Sequence, residues 1–173
     1  YIKDMLGTTF FLMKVGSNFD TVFFKEYRDT IFNYLEFQQG KETFDKGFIM
    51  VGTIPGSGTY DQDIFVLKAD SLGNEQWRKI INLGAIEYAR NVIQTPDKGY
   101  LLGCYTYTPT NYLSGDGRII KLDSLGNFEW GKSIGGLKQD GVPIVALAKD
   151  SNYIVASSYA YVTYTSADLS ELR

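Results

Sequence analysis

The segment KADSLGNEQW, Lys68–Trp77, returns 53 residues later as KLDSLGNFEW, Lys121–Trp130. A more diverged copy, KVGSNFDTVF, occupies Lys14–Phe23, with Gly16 in place of the Asp and Phe23 in place of the Trp. A second landmark repeats independently: DKGFIMVG at Asp45–Gly52, DKGYLLGC at Asp97–Cys104 and DSNYIVAS at Asp150–Ser157, spaced 52 and 53 residues apart. Two landmarks with one shared period define a repeat, and self-similarity at this spacing signals solenoids, propellers or arrays.

The clearest unit reads as four strands. Tyr88–Thr95 is the first, and Pro96, Asp97, Lys98 and Gly99 form a turn in which Gly99 is expected to supply the left-handed residue; Gly47 holds the same place one unit earlier. Tyr100–Thr106 is the second strand and Gly117–Leu122 the third. The turn Asp123–Asn127 then leads into a fourth strand that begins at Phe128 and ends near the breaker pair Gly135-Gly136. A four-stranded antiparallel unit of about 53 residues predicts an all-β fold of β-propeller blades.

The repeated residues have architectural readings. Asp70 and Asp123 can accept hydrogen bonds from backbone N–H groups further along their turns. Gly73 and Gly126 permit a left-handed conformation, with Asn74 and Asn127 following each. Trp77 and Trp130, with Phe23 in the first copy, are expected to bury a ring against the neighbouring blade, worth about 1.5–3 kcal/mol or more each. Lys14, Lys68 and Lys121 recur in the third strand and are expected to keep the ammonium in water while the stem covers apolar surface.

By this reading residues 1–28 supply a half blade, 31–84 and 85–136 two blades, and 140–165 another half. Propellers typically close with about 4 to 8 blades. The arc is therefore expected to be incomplete, with the remaining blades supplied by a longer polypeptide or by a partner chain.

Composition narrows the chemistry. The chain has 13 Tyr, 11 Phe, 18 Gly and four Pro among 173 residues, a balance that favours pleated sheets with tight turns. There is no His, which removes the commonest general base and the usual partner of a Ser or Cys nucleophile. Cys104 is the sole cysteine, so neither an internal disulfide nor a multi-thiolate metal site can form. Its apolar surroundings predict a buried small hydrophobe. A formal charge of -3 with no basic run argues against nucleic acid. No stretch approaches the roughly 20 apolar residues of a spanning helix.

Asp61, Asp63 and Asp70 lie close in sequence, as do Asp116 and Asp123, but a role capping turns outweighs a glycosidase pair. GSGTYDQD, Gly56–Asp63, lacks the spacing and terminal Glu of an EF-hand loop. The loops between second and third strands, Pro55–Gln62 and Tyr107–Asp116, are long and polar. They offer Ser57, Thr59, Tyr60, Tyr107, Asn111 and Tyr112 as candidate binding residues. No catalytic residue, cofactor site or metal site is expected.

The pairing of DKGYLLG-like and LKxDSLGNxxW-like segments, over Phe10 to about Tyr161, resembles a repeat of large secreted and surface proteins of Bacteroidota-type bacteria, many exported by the type IX pathway. The motif is also similar to the tryptophan-docking repeat of quinoprotein-type propellers, in which an Asp, a Gly and a following Trp mark each blade. The resemblance implies an extracellular or cell-surface location, with the periplasm as alternative. It implies a non-catalytic binding or scaffold module of a larger protein, recognising a protein or glycan. Two other readings are a component of a cell-envelope assembly or secretion complex, and an accessory part of a secreted hydrolase whose active site lies outside this segment.

Overall fold

The computed structural model describes residues 7–29, 33–58, 61–107, 115–134 and 140–158. Among them there is no helix; the chain is all-β, with twelve strands in four antiparallel sheets. Strands β1 (Thr8–Val15) and β2 (Thr21–Asp29) form a hairpin. Strands β3 (Glu36–Glu42), β4 (Phe48–Pro55), β5 (Gln62–Ala69) and β6 (Glu75–Ile81) form a four-stranded sheet in chain order. Strands β7 (Ile86–Gln94), β8 (Tyr100–Tyr107), β9 (Asp116–Leu122) and β10 (Phe128–Ile134) repeat that arrangement. Strands β11 (Ile144–Leu147) and β12 (Tyr153–Ala156) form a second hairpin.

The inner strands carry near-continuous apolar runs because both their faces are covered. Along β4, Ile49 and Val51 join Ile64, Val66, Val92, Leu102 and Ile120 in a core between the two large sheets. The alternate residues Met50 and Ile54 join Phe65 and Leu67 against Phe10 and Tyr27 of the first hairpin. A strand whose successive side chains point to opposite faces thus serves two cores. Cys104 lies in the first core, fully buried, and burial pushes its thiol well above the ordinary range. The outer strand β10 is almost wholly exposed, as is β12.

Bulges recur at fixed places. Gln76, Glu129 and Val22 are each the extra residue opposite the strand that precedes their turn, so the divergent first copy keeps the register of the other two. Its turn matches as well. Gly16 N–H donates to Asp20 O and Phe19 N–H to Gly16 O, as Asp70 N–H does to Asn74 O and Gly73 N–H to Asp70 O. Phe19 takes the left-handed conformation (φ 66°) that Gly73 and Gly126 take at φ 78°.

The turns at the second landmark depart from the sequence expectation. Lys46 (φ 65°), Lys98 (φ 67°) and Ser151 (φ 66°) are the left-handed residues, not Gly47 or Gly99. In each DKG turn the lysine amide bonds back to the threonine carbonyl, Lys46 to Thr43 and Lys98 to Thr95, which puts the twist one residue earlier. The glycines answer a different need, close approach by a neighbouring side chain.

Candidate functional site

That neighbour is the repeated lysine. Lys68 and Lys121 are only 3% and 5% exposed, so the expectation of ammonium groups in water fails for both. Lys68 Nζ lies 3.0 Å from Asp45 Oδ2 and donates to Ala69 O at 2.8 Å. Lys121 Nζ lies 2.9 Å from Asp97 Oδ2, 3.0 Å from Glu129 Oε2 and 3.0 Å from Leu122 O. A Cβ on Gly47 would fall 2.5 Å from Lys68 Nζ and closer still to the Ala69 carbonyl oxygen; Gly99 stands in the same relation to Lys121 and Leu122. The reason for the burial is now visible: each DKG aspartate, the residue of one landmark, is the counter-ion of the lysine of the other. Lys14, in a hairpin with no DKG turn, stays exposed and pairs with Glu42 at 3.2 Å.

The aspartates are tuned for this. Burial pushes Asp45 up, but hydrogen bonds from Thr43, Lys68 and the Gly47 amide outweigh it and hold the carboxyl down at about 2. Bonds from Thr95 and Lys121 likewise hold Asp97 at about 2. The lysine is buried but its carboxylate is about half exposed, so the cost of removing Asp45 falls short of the about 3–5 kcal/mol of a fully buried pair. Asp45→Ala leaves the Lys68 ammonium with no carboxylate and is expected to cost about 2 kcal/mol. Asp97→Ala leaves Glu129 on Lys121 and is expected to cost at least about 1 kcal/mol less. Urea unfolding of the two variants makes the comparison; equal losses would show that Glu129 contributes nothing.

The residues singled out at the first landmark act within turns and between sheets. Asp70 Oδ1 accepts from the Leu72 and Asn74 amides at 2.8 Å each, and Asp123 does the same with Leu125 and Asn127. Trp77 packs edge-on against Tyr100 of the next sheet, centroids 5.6 Å apart, and its ring covers Gly126, where a Cβ would lie 2.7 Å away. Two residues on, Lys79 donates to Asn127 Oδ1 at 3.0 Å. The first hairpin does likewise: Phe23 packs on Phe48 and over Gly73, and Lys25 donates to Asn74 Oδ1 at 2.9 Å. Trp130 departs from the expectation of a buried ring and is 39% exposed.

Of the candidate binding residues, Thr59, Tyr60, Asn111 and Tyr112 lie outside the described residues. Ser57 is exposed, next to Gly56, whose amide donates to Asp61 O. Tyr107 lies at the end of β8 and lines a cleft of about 470 Å³ formed where β3, β7, β8 and the approach to β11 meet. The Tyr107 ring stacks on Tyr88, centroids 5.9 Å apart, with the two hydroxyls 3.2 Å apart and Tyr105 tilted against it. Burial and the Tyr88 hydrogen bond push the Tyr107 hydroxyl up to about 12, so it remains a neutral donor and acceptor.

Gln38 and Arg90 reach this cleft because each is the extra residue of a bulge in the first strand of its sheet. Bulges re-aim side chains and gather beside functional sites. Arg90 Nη1 donates to Gln38 Oε1 at 3.4 Å, and Gln38 Nε2 to Glu36 Oε1 at 2.7 Å. Hydrogen bonds from Tyr34 and Gln38 lower the Glu36 carboxyl further into its ionised form. Sequence reasoning missed Glu36, Gln38, Arg90, Tyr88 and Tyr105. The available signal was an adjacent polar pair, Gln38–Gln39 and Arg90–Asn91, interrupting the alternation of two equivalent strands.

A second group was also missed. Asp63, read with the turn aspartates, instead lies buried in β5. It faces Glu87 of β7, which is fully buried and accepts the Ala85 and Leu83 amides on Oε1 at 2.9 and 3.2 Å. No group of three or more acidic, His or Cys side chains able to hold a metal occurs among the described residues.

No protein-family model matches the chain, and no curated protein matches it either.

Proposed function

We propose that this chain is an arc of β-propeller-type blades serving as a non-catalytic binding and scaffold module, with its ligand in the cleft between the first strands. The observation that carries the reading is the pair of equivalent bulges that turn Gln38 and Arg90 into a cleft walled by Tyr88, Tyr105 and Tyr107. Two four-stranded sheets in chain order, flanked by two-stranded hairpins, support the blade assignment. Tyrosine faces beside an amide, a guanidinium and a carboxylate suit a glycan: rings stack on sugar faces while planar polar groups bridge hydroxyls. A protein segment with exposed polar side chains is the other ligand this surface supports. The module is read as exported, within a larger secreted or surface protein, on the likeness of its repeats alone.

Glycan and peptide arrays probed with the wild-type chain and with Arg90→Ala test the proposal. A ligand class whose binding falls at least about tenfold in the variant, a loss of about 1.4 kcal/mol, is expected. Equal binding by the variant would remove the cleft from consideration, and turnover of a bound glycan would reassign the module as an enzyme.

A further inference from the structure

We infer that Trp130, Lys132 and the open edge of β12 form a docking site for one β-hairpin of this same repeat, whose turn carries glycine at its left-handed position. The inference rests on the blade reading above and goes beyond it by naming the surface and what the incoming turn must contain.

The site is defined by a contact that the molecule makes twice. An aromatic residue covers the turn glycine of the next sheet while a lysine two residues on donates to the adjoining asparagine: Phe23 and Lys25 on Gly73 and Asn74, then Trp77 and Lys79 on Gly126 and Asn127. Trp130 and Lys132 are the third such pair, 53 residues after the second. Both are exposed, and neither has a ring or hydrogen-bond partner among the described residues. Tyr153, at the place of Tyr100 and Phe48, is 40% exposed beside them in the repeat order. Strands β4 and β8 each pair on both sides, whereas β12 pairs only with β11 among the described residues. One hairpin meets both needs, its first strand extending the β11–β12 sheet and its turn lying under Trp130.

The geometry also limits what fits. A Cβ at Gly126 would lie 2.7 Å from the Trp77 ring in a left-handed turn, so a side chain at that position must push the ring aside and strain the backbone. The turns at Gly73 and Gly126 are already covered, and the first turn carries Phe19 at the critical place. A second copy joined head to tail through its first turn would bring Phe19, not glycine, to the ring. The third DKG-type turn adds a further condition, because Asn152 stands where Gly47 and Gly99 admit a buried lysine. The incoming strand must hold a residue smaller than lysine there.

The test uses the full chain with Trp77→Phe, so that Trp130 is its only tryptophan. The probe is a cyclised peptide of residues 63–81 carrying Trp77→Phe and Lys68→Ala, cyclised because isolated hairpins are marginal in water. Saturable binding with a blue shift of Trp130 emission is expected, weakened about five- to tenfold by Lys132→Ala in the chain. Loss of binding by at least a hundredfold is expected when the peptide carries Gly73→Phe. Absence of any emission shift at millimolar peptide would overturn the inference, as would equal binding of the Gly73→Phe peptide or burial of Trp130 by self-association in sedimentation velocity. The parallel variant Gly126→Ala, read by Trp77 emission in a Trp130→Phe chain, separates the two levels. A shift there with no peptide binding defeats the docking site alone; no shift there defeats the stacked-blade reading beneath it.

Discussion

Gly99→Ala is expected to lower unfolding free energy by about 3 kcal/mol, among the larger losses that a one-carbon change produces. The added carbon would meet both the Leu122 carbonyl oxygen and the Lys121 ammonium at distances that real Cβ atoms do not reach. Neither obstacle is a flexible chain end free to swing into solvent. The carbonyl belongs to strand β9, and the ammonium is held between Asp97 and Glu129. Overpacking alone costs about 1–3 kcal/mol, and displacing a buried, paired lysine adds to it. Gly47→Ala meets the same pair of obstacles at Ala69 and Lys68 and is expected to behave alike. Gly84→Ala supplies the control, since Gly84 is left-handed (φ 80°) yet has nothing within 4 Å of its added carbon. Backbone strain is then the whole cost, about 1–2 kcal/mol. Guanidinium titrations of the three variants decide the matter. A loss at Gly99 no larger than at Gly84 would mean that the lysine moves freely and the ion pair is not a fixed part of the sheet.

The same two landmarks show what sequence could and could not tell. Their shared period disclosed an all-β chain, and the strands expected between 85 and 136 lie within two residues of those observed. Turn chemistry was legible at Asp70 and Asp123 because an aspartate bonding amides a few residues on is a local matter. The burial of Lys68 and Lys121 was not, because lysine is almost never fully buried unless paired, and the pairing residue lies 23 or 24 positions upstream in another turn. Gly47 and Gly99 were misread for the same reason. A glycine in a turn is ordinarily explained by its own dihedral angle, and here the carbonyl and lysine of the paired neighbouring strand explain it. The cleft was half legible: Tyr107 was named from loop composition, while Gln38 and Arg90 reach it only through bulges whose register emerges from strand pairing.

Stability is expected to fall as pH rises from about 4.5 to about 7, by about 3 kcal/mol, and Glu87→Gln is expected to remove most of that slope. Burial is the largest influence on Glu87. Although the Ala85 and Leu83 amides favour the carboxylate, its carboxyl is pushed up to about 7, with the charges of Asp63 and Asp61 adding to the rise. A folded-state value above the unfolded one means that the native protein binds the extra proton. That contribution is full below the unfolded value and is lost as pH climbs through the folded one. Asp63, raised chiefly by burial and then by Asp61, acts in the same direction. Asp45 and Asp97 act oppositely. Held at about 2, they stabilise above the unfolded aspartate range and lose that effect as pH falls towards 2. The sum is a stability maximum near pH 4 to 5, set on its alkaline side by Glu87. Glutamine suits the Glu87 site because its carbonyl can keep the two amides while its uncharged NH2 replaces the unpartnered second oxygen. Glu87→Gln should therefore match the wild type at pH 4.5 and exceed it at pH 8. Thermal unfolding of both proteins across that range checks this, and parallel pH profiles would show that another group carries the proton.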